Sequence, residues 1–253
     1  MNRIILNDLD ELKYGRREAI NSLKTNIKFA GNDIKVVAFT SCNPNEGKST
    51  TCFDLAKAFA DSGSKVLLID ADMRKTVMLQ RYNIDNQGQK IGGLTHYLSG
   101  QVPFENILTA TNVPNLFMIL AGPLSPNPAE LLSSTQIDTL ISACRKAFDM
   151  VIIDTPPLGA VIDAAIIAPK CDGVVIITEA NTTSARVAIG VKKQLEMTGC
   201  KILGCVLNKV PSSGNAYRYR YRYYGEYKSE DEGAKKNTKK KKQGLMRATK
   251  KDS

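Results

Sequence analysis

The sequence predicts a doubly wound α/β fold, a mostly parallel sheet with helices on both faces, followed by a flexible tail. Three observations predict it. Short β-branched apolar runs recur through the first 210 residues, stretches with helical spacing separate them, and a glycine-lysine-serine-threonine loop stands directly after the first run. Strands that are apolar on both faces and separated by helices pair in parallel, because each crossover helix must cover a face of the sheet.

Taken in order, residues 8–30 carry Leu12, Ala19, Leu23 and Ile27 at helical spacing and form an N-terminal helical segment. Runs at 35–40, 66–69, 116–120, 150–153, 174–178 and 202–207 read as strands, and 49–61, 134–148 and 183–197 as helices. After Val210 the pattern stops and Pro-Ser-Ser-Gly-Asn opens a different composition. The expected organisation is a nucleotide-binding domain over 1–210 and a tail over 211–253.

At 253 residues and 43% hydrophobic content, the chain can build one good-sized core. Its net charge of +10 is unevenly placed: 217–253 holds 13 Lys and Arg against 5 Asp and Glu, leaving only +2 for 1–216. Basicity confined to a tail favours a tether to an anionic surface and argues against a specific nucleic-acid reader. The six cysteines form no CxxC pair, and the start lacks a secretory apolar region, which fits a cytoplasmic protein. The apolar runs are too short to span a bilayer, so membrane association is expected to be peripheral. His96, the single histidine, excludes a histidine-based metal cluster and reads as an ordinary packed or surface residue.

The loop after the first strand is Ser41-Cys42-Asn43-Pro44-Asn45-Glu46-Gly47-Lys48-Ser49-Thr50. Between a strand and a helix, such a loop cradles phosphates with backbone N–H groups. Lys48 neutralises the β and γ oxygens of ATP, and Ser49 ligates Mg²⁺. Asn43, Pro44, Asn45, Glu46, Gly47 and Thr50 complete the candidate nucleotide cradle. Cys42 stands where GxxxxGK[ST] has its first glycine, and Asn45 can take the left-handed conformation that a glycine would supply. The core is thus a P-loop NTPase pattern.

Two acidic motifs end strands, where ligands of open α/β sheets bind. The run at 66–69 continues into Asp70-Ala71-Asp72-Met73-Arg74, and that at 150–153 into Asp154-Thr155-Pro156-Pro157. Asp154 is the expected Mg²⁺ carboxylate. Of Asp70 and Asp72, one is expected to aim at the metal and the other toward a substrate hydroxyl or a neighbour. Residues 217–227 collect six of the nine tyrosines, Tyr217, Tyr219, Tyr221, Tyr223, Tyr224 and Tyr227, with three arginines between them. No core period runs through this segment, so its phenols are expected to be exposed and available as substrates.

Together, the phosphate loop, Leu-Ile-Asp-Ala-Asp-Met-Arg at 68–74, Ala-Gly-Pro-Leu-Ser-Pro-Asn-Pro-Ala-Glu-Leu-Leu at 121–132, Ile-Asp-Thr-Pro-Pro at 153–157 and the tyrosine cluster closely resemble the bacterial tyrosine kinases. More specifically, the chain is similar over nearly its whole length to the separate cytoplasmic kinase of Gram-positive capsule and exopolysaccharide systems. The resemblance implies phosphoryl transfer from Mg²⁺-bound ATP to tyrosine, in trans onto the chain's own tail, regulating polysaccharide synthesis and export. It implies that Lys48, Asp70, Asp72 and Asp154 share catalysis, with Asp70 preferred for orienting or deprotonating the incoming tyrosine. Ser49, Asp70 and Asp154 would hold the metal, and Asn208 would lie near the adenine. The implied partners are a transmembrane adaptor of the polysaccharide co-polymerase type, a cognate tyrosine phosphatase and further copies of the chain. The implied location is the inner face of the cell membrane, reached through the adaptor.

One departure concerns the ring. The family's Glu-x-x-Arg-x-x-Arg set aligns with Glu18, Asn21 and Lys24, so only the glutamate matches. The rival within the fold, a MinD/ParA-type positioning ATPase, carries a signature lysine where this chain has Asn43. An iron–sulfur carrier would need a C-terminal CxxC, and an RNA-binding arm would use the same tyrosines and arginines for stacking.

Overall fold

The computed structural model describes residues 2–31 and 33–211. Its elements are β1 (Asn2–Arg3), β2 (Ile5–Leu6), α1 (Tyr14–Phe29), β3 (Val36–Ser41), α2 (Lys48–Asp61), β4 (Val66–Asp70), α3 (Met78–Arg81), β5 (Ile84–Asp85), α4 (Leu94–Leu98) and α5 (Phe104–Ile107). There follow β6 (Thr109–Ala110), β7 (Leu116–Ile119), α6 (Pro128–Leu132), α7 (Thr135–Ala147), β8 (Met150–Asp154), α8 (Asp163–Ile167), a 3₁₀ turn at Ala168–Lys170, β9 (Gly173–Glu179), α9 (Ala185–Met197) and β10 (Ile202–Asn208).

Eight strands form one sheet in the order β1-β6-β7-β4-β8-β3-β9-β10, parallel except for the β6–β7 pair, while β2 and β5 pair separately and antiparallel. The expected fold class is therefore the observed one. The central strands β3, β4 and β8 are buried along their whole lengths, which is why they read as continuous apolar runs instead of alternating ones.

Each face of the sheet has its own core. On one, α1 and α2 contribute Ile20, Ile27, Leu55 and Phe59; on the other, α7, α8 and α9 contribute Leu140, Ile141, Ile167 and Leu195. Phe59 is fully buried, and its truncation to alanine would cost about 3–5 kcal/mol by cavity formation.

The N-terminal helix begins at Tyr14, not at residue 8: the N–H groups of Asn7 and Asp8 donate to Tyr82 O beside the β2–β5 ribbon, and residues up to Lys13 are not helical. The two-residue strands and the four- and five-residue helices were too short for periodicity to reveal. The chain divides into two units, Met1–Lys209 and Val210–Ser253. The six tail tyrosines lie outside the described residues.

Candidate active site

β3 hands the chain to the phosphate loop at Ser41, and α2 takes it up at Lys48. Between them the backbone passes through two left-handed residues, Asn45 at φ 66° and Gly47 at φ 84°. Only glycine fits the second: a Cβ there would meet Asn208 Nδ2 at 2.2 Å. No side chain caps α2, so its first-turn N–H groups remain available to phosphate oxygens at the positive end of the helix.

The loop is braced from inside by Glu46, which is 1% exposed. Its carboxylate accepts the Cys42 N–H at 2.8 Å, Asn43 Nδ2 at 3.0 Å and the Thr183 hydroxyl. Asn43 therefore turns into this brace and does not line the cleft, whereas Pro44, Asn45, Glu46, Gly47, Lys48, Ser49 and Thr50 do. Asn208, expected near an adenine, donates its Nδ2 to Glu46 O at 2.8 Å and lines the cleft. Lys209 Nζ bridges Asn45 O and Glu179 Oε2, each at 2.7 Å. Burial, then the charge of Glu46, pushes the Cys42 thiol up to about 11, so this residue acts as a small packed hydrophobe where the motif has glycine.

A buried floor lies beneath the loop. Asp70 and Asp154 are register partners at the ends of adjacent strands, 1% and 0% exposed. Lys48, 7% exposed, forms an ion pair with Asp154 Oδ1, and its Nζ stands 3.5 Å from Ser49 Oγ. Burial alone would lower the Lys48 pKa, but Asp154 outweighs it and holds Lys48 above its ordinary value. Burial, reinforced by the charge of Asp154, pushes Asp70 well above the carboxylate range. Strand β4 ends at Asp70, so Asp72 belongs to the following turn, where its Oδ1 accepts the N–H groups of Arg74 and Lys75 at 3.2 and 2.9 Å. Asp72 lines the cleft; Asp70, the residue expected to meet tyrosine, lies behind it with Oδ1 taking the Asp72 N–H at 3.1 Å.

Asp70 Oδ2 and Asp154 Oδ2 are buried without a hydrogen-bond partner. Two such oxygens beside a lysine and a serine hydroxyl fit a hydrated magnesium ion on nucleotide phosphates, since Mg²⁺ keeps several waters and takes few protein ligands. No group of three or more His, Cys, Asp or Glu side chains placed to hold a metal occurs among the described residues.

The cleft encloses about 590 Å³; its rim is formed by the exposed Arg16, Arg74, Lys75 and Arg81 and the half-buried Asp72, Val77 and Pro157, with the buried Pro156 beneath. Thr155 and Leu158 continue past the sheet beside β3, donating N–H to Phe39 O at 3.0 Å and Ser41 O at 2.9 Å, which stands the two prolines against the loop. The segment at 121–132 is tied to the backbone beside Arg74: Ser125 N–H donates to Met73 O at 3.2 Å. Sequence reasoning missed the anchors of the rim. Arg74 grips the fully buried Asp163 with two 2.8 Å hydrogen bonds, and Arg16 Nη2 lies 2.5 Å from Asp54 Oδ2. Arg74 and Asp163 are 89 residues apart, so no local motif contains both.

A strand–loop–helix cradle with paired carboxylates at the neighbouring strand ends defines a phosphate-loop nucleotide-binding protein. The AAA domain family matches residues 34–202. The chain is 46% identical over 200 residues to the tyrosine-protein kinase CpsD of Streptococcus pneumoniae serotype 4, covering 79% of this chain and 87% of that one. It is 39% identical over 219 residues to the tyrosine-protein kinase YwqD of Bacillus subtilis, covering 86% and 90%. The solved kinase domain of the Escherichia coli tyrosine kinase ETK is 28% identical, with a TM-score of 0.73 over 79% of this chain and 77% of that one. The chain belongs to the bacterial tyrosine-protein kinases. No helix among the described residues is long and apolar enough to cross a membrane.

Proposed function

We propose that the chain phosphorylates the tyrosines of its own tail, Tyr217, Tyr219, Tyr221, Tyr223, Tyr224 and Tyr227, in trans between copies, using Mg²⁺-bound ATP. The observation that carries this reading is the meeting of Lys48, Ser49, Asp70 and Asp154 beneath one open cleft whose wall presents Asp72. The transfer forms a bond from the phenol oxygen to the γ-phosphorus, breaks the γ-phosphorus bond to the β–γ bridging oxygen, releases ADP and gives up the phenol proton. In this reading Lys48 and the loop N–H groups bind phosphate oxygens, and Ser49, Asp70 and Asp154 would hold the metal, which would supply neutralisation of developing charge. Asp72 stands where an acceptor can orient the phenol and take its proton, because it is the acidic side chain of the 70–72 pair that reaches the cleft. A phenol with pKa of about 10 needs such an acceptor near neutral pH.

Each phosphate adds roughly −1.5 to −2 charges, so full modification overturns the +8 of residues 217–253. That reversal is the proposed output, acting on capsular or exopolysaccharide assembly through a membrane adaptor of the polysaccharide co-polymerase type. A tyrosine phosphatase would reset it. Lys48→Met should abolish phosphotyrosine on purified protein given Mg²⁺ and ATP, with circular dichroism confirming that the variant is folded. Phosphotyrosine persisting on that variant would sink the proposal. Protein truncated after residue 210 should still hydrolyse ATP.

A further inference from the structure

The cationic side chains of the rim are unequally committed. Arg74 is locked to Asp163 and Arg16 is paired with Asp54, whereas Lys75 and Arg81 form no ion pair among the described residues. Both are exposed, and both line the same cleft as Lys48 and Asp72. The charge of Arg81 reaches Asp54 without an ion pair, and two cations free of ion pairs on the wall of a phosphoryl-transfer cleft suit an anion of high charge density.

The proposed substrate does not begin as such an anion. Residues 217–227 carry three arginines and one glutamate, so the unmodified segment opposes this wall. Once a tyrosine is phosphorylated the sign changes locally. Tyr217, Tyr219, Tyr221 and Tyr223 are spaced by two, which in an extended chain sets neighbouring phenols on one side, about 7 Å apart. A phosphate held at the wall would therefore leave the next tyrosine one short step from the cleft.

We propose that Lys75 and Arg81 form a phosphotyrosine subsite that binds a tyrosine already modified and presents its neighbour for the next transfer. The subsite rests on the kinase reading above and adds to it an order of events: the first phosphorylation of a tail is slow, and the later ones are fast.

The test uses the full chain with all six tail tyrosines changed to phenylalanine, so that only added peptide accepts phosphate. Two peptides of sequence 217–227 are compared, one unmodified and one carrying phosphotyrosine at the place of Tyr221. The primed peptide should be phosphorylated with kcat/KM about tenfold higher, the worth of one charge-assisted contact. The advantage should shrink as salt rises, and in Lys75→Met and Arg81→Met the primed-to-unprimed ratio should fall toward one. Equal rates for the two peptides overturn the subsite. So does a variant whose KM for ATP rises while the ratio holds, because the cations would then serve the nucleotide. If neither peptide is phosphorylated, the kinase reading fails and the subsite falls with it.

Discussion

The floor and the rim of the cleft are built by opposite means. The floor is made of Lys48, Asp70 and Asp154, three ionisable side chains almost wholly out of water, the two carboxylates fixed at the ends of buried strands and the lysine at the start of α2. The rim is made of Arg16, Asp72, Lys75 and Arg81, carried by a helix end and a turn and open to solvent. Charges at the floor interact strongly because little water screens them, and rim charges are screened within roughly 8–10 Å. The contrast divides labour: a dry floor suits charge stabilisation, and a wet rim suits capture and selection.

Substitutions graded from floor to rim test that division. The largest effect is expected from Asp154→Ala, which removes the carboxylate proposed to hold the metal and takes from the buried Lys48 its ion-pair partner. Tyrosine phosphorylation should fall at least about a hundredfold, and breaking the buried pair should cost about 3–5 kcal/mol in a denaturant titration. A variant as stable as the parent would mean that the pair is not dry. Gly47→Ala comes next. It forces a side chain onto a left-handed residue and into Asn208, so KM for ATP should rise about tenfold while the melting temperature shifts only a few degrees. An unchanged KM would show that the loop is not preformed.

The smallest effect lies where the rim meets the core. Burial raises the Asp54 pKa even against the pull of Arg16, so the folded state holds this proton more tightly than the unfolded chain does. Stability from this group is full below the ordinary carboxyl value and is lost as pH rises through the raised one. Asp54→Asn should therefore lose less melting temperature than the parent between about pH 4 and pH 7. Parallel curves would assign Asp54 to the screened rim.

The same contrast explains what the sequence made legible. The strands behind the floor announce themselves because complete burial leaves unbroken apolar runs at 66–69 and 150–153, and the motif aspartates Asp70 and Asp154 follow directly at their ends. Asn45 was expected to be left-handed, and it is, because a phosphate loop needs that turn whichever residue supplies it. The rim was not legible. Arg74 with Asp163, Arg16 with Asp54 and Thr183 with Glu46 are pairings that only the folded chain brings together. The edge of the sheet was equally hidden, since Asn2–Arg3 and Thr109–Ala110 form strands too short to carry a period. Nor did spacing predict that Asn208 would grip the loop backbone at Glu46.

That grip has a mechanical consequence. Strand β10 is the edge of the sheet, hydrogen-bonded along one side only, and its last residues hand the chain to the tail. Tension drawn along the tail arrives first at Lys209 and Asn208, whose side chains are moored to Asn45 and Glu46 of the phosphate loop. A load directed along the axis of β10 would meet the β9–β10 ladder in shear, with many bonds sharing it. Under such a load the moorings, being few and lying at the end of the line, would give way before the strand, and the nucleotide cradle would slacken while the sheet stayed whole.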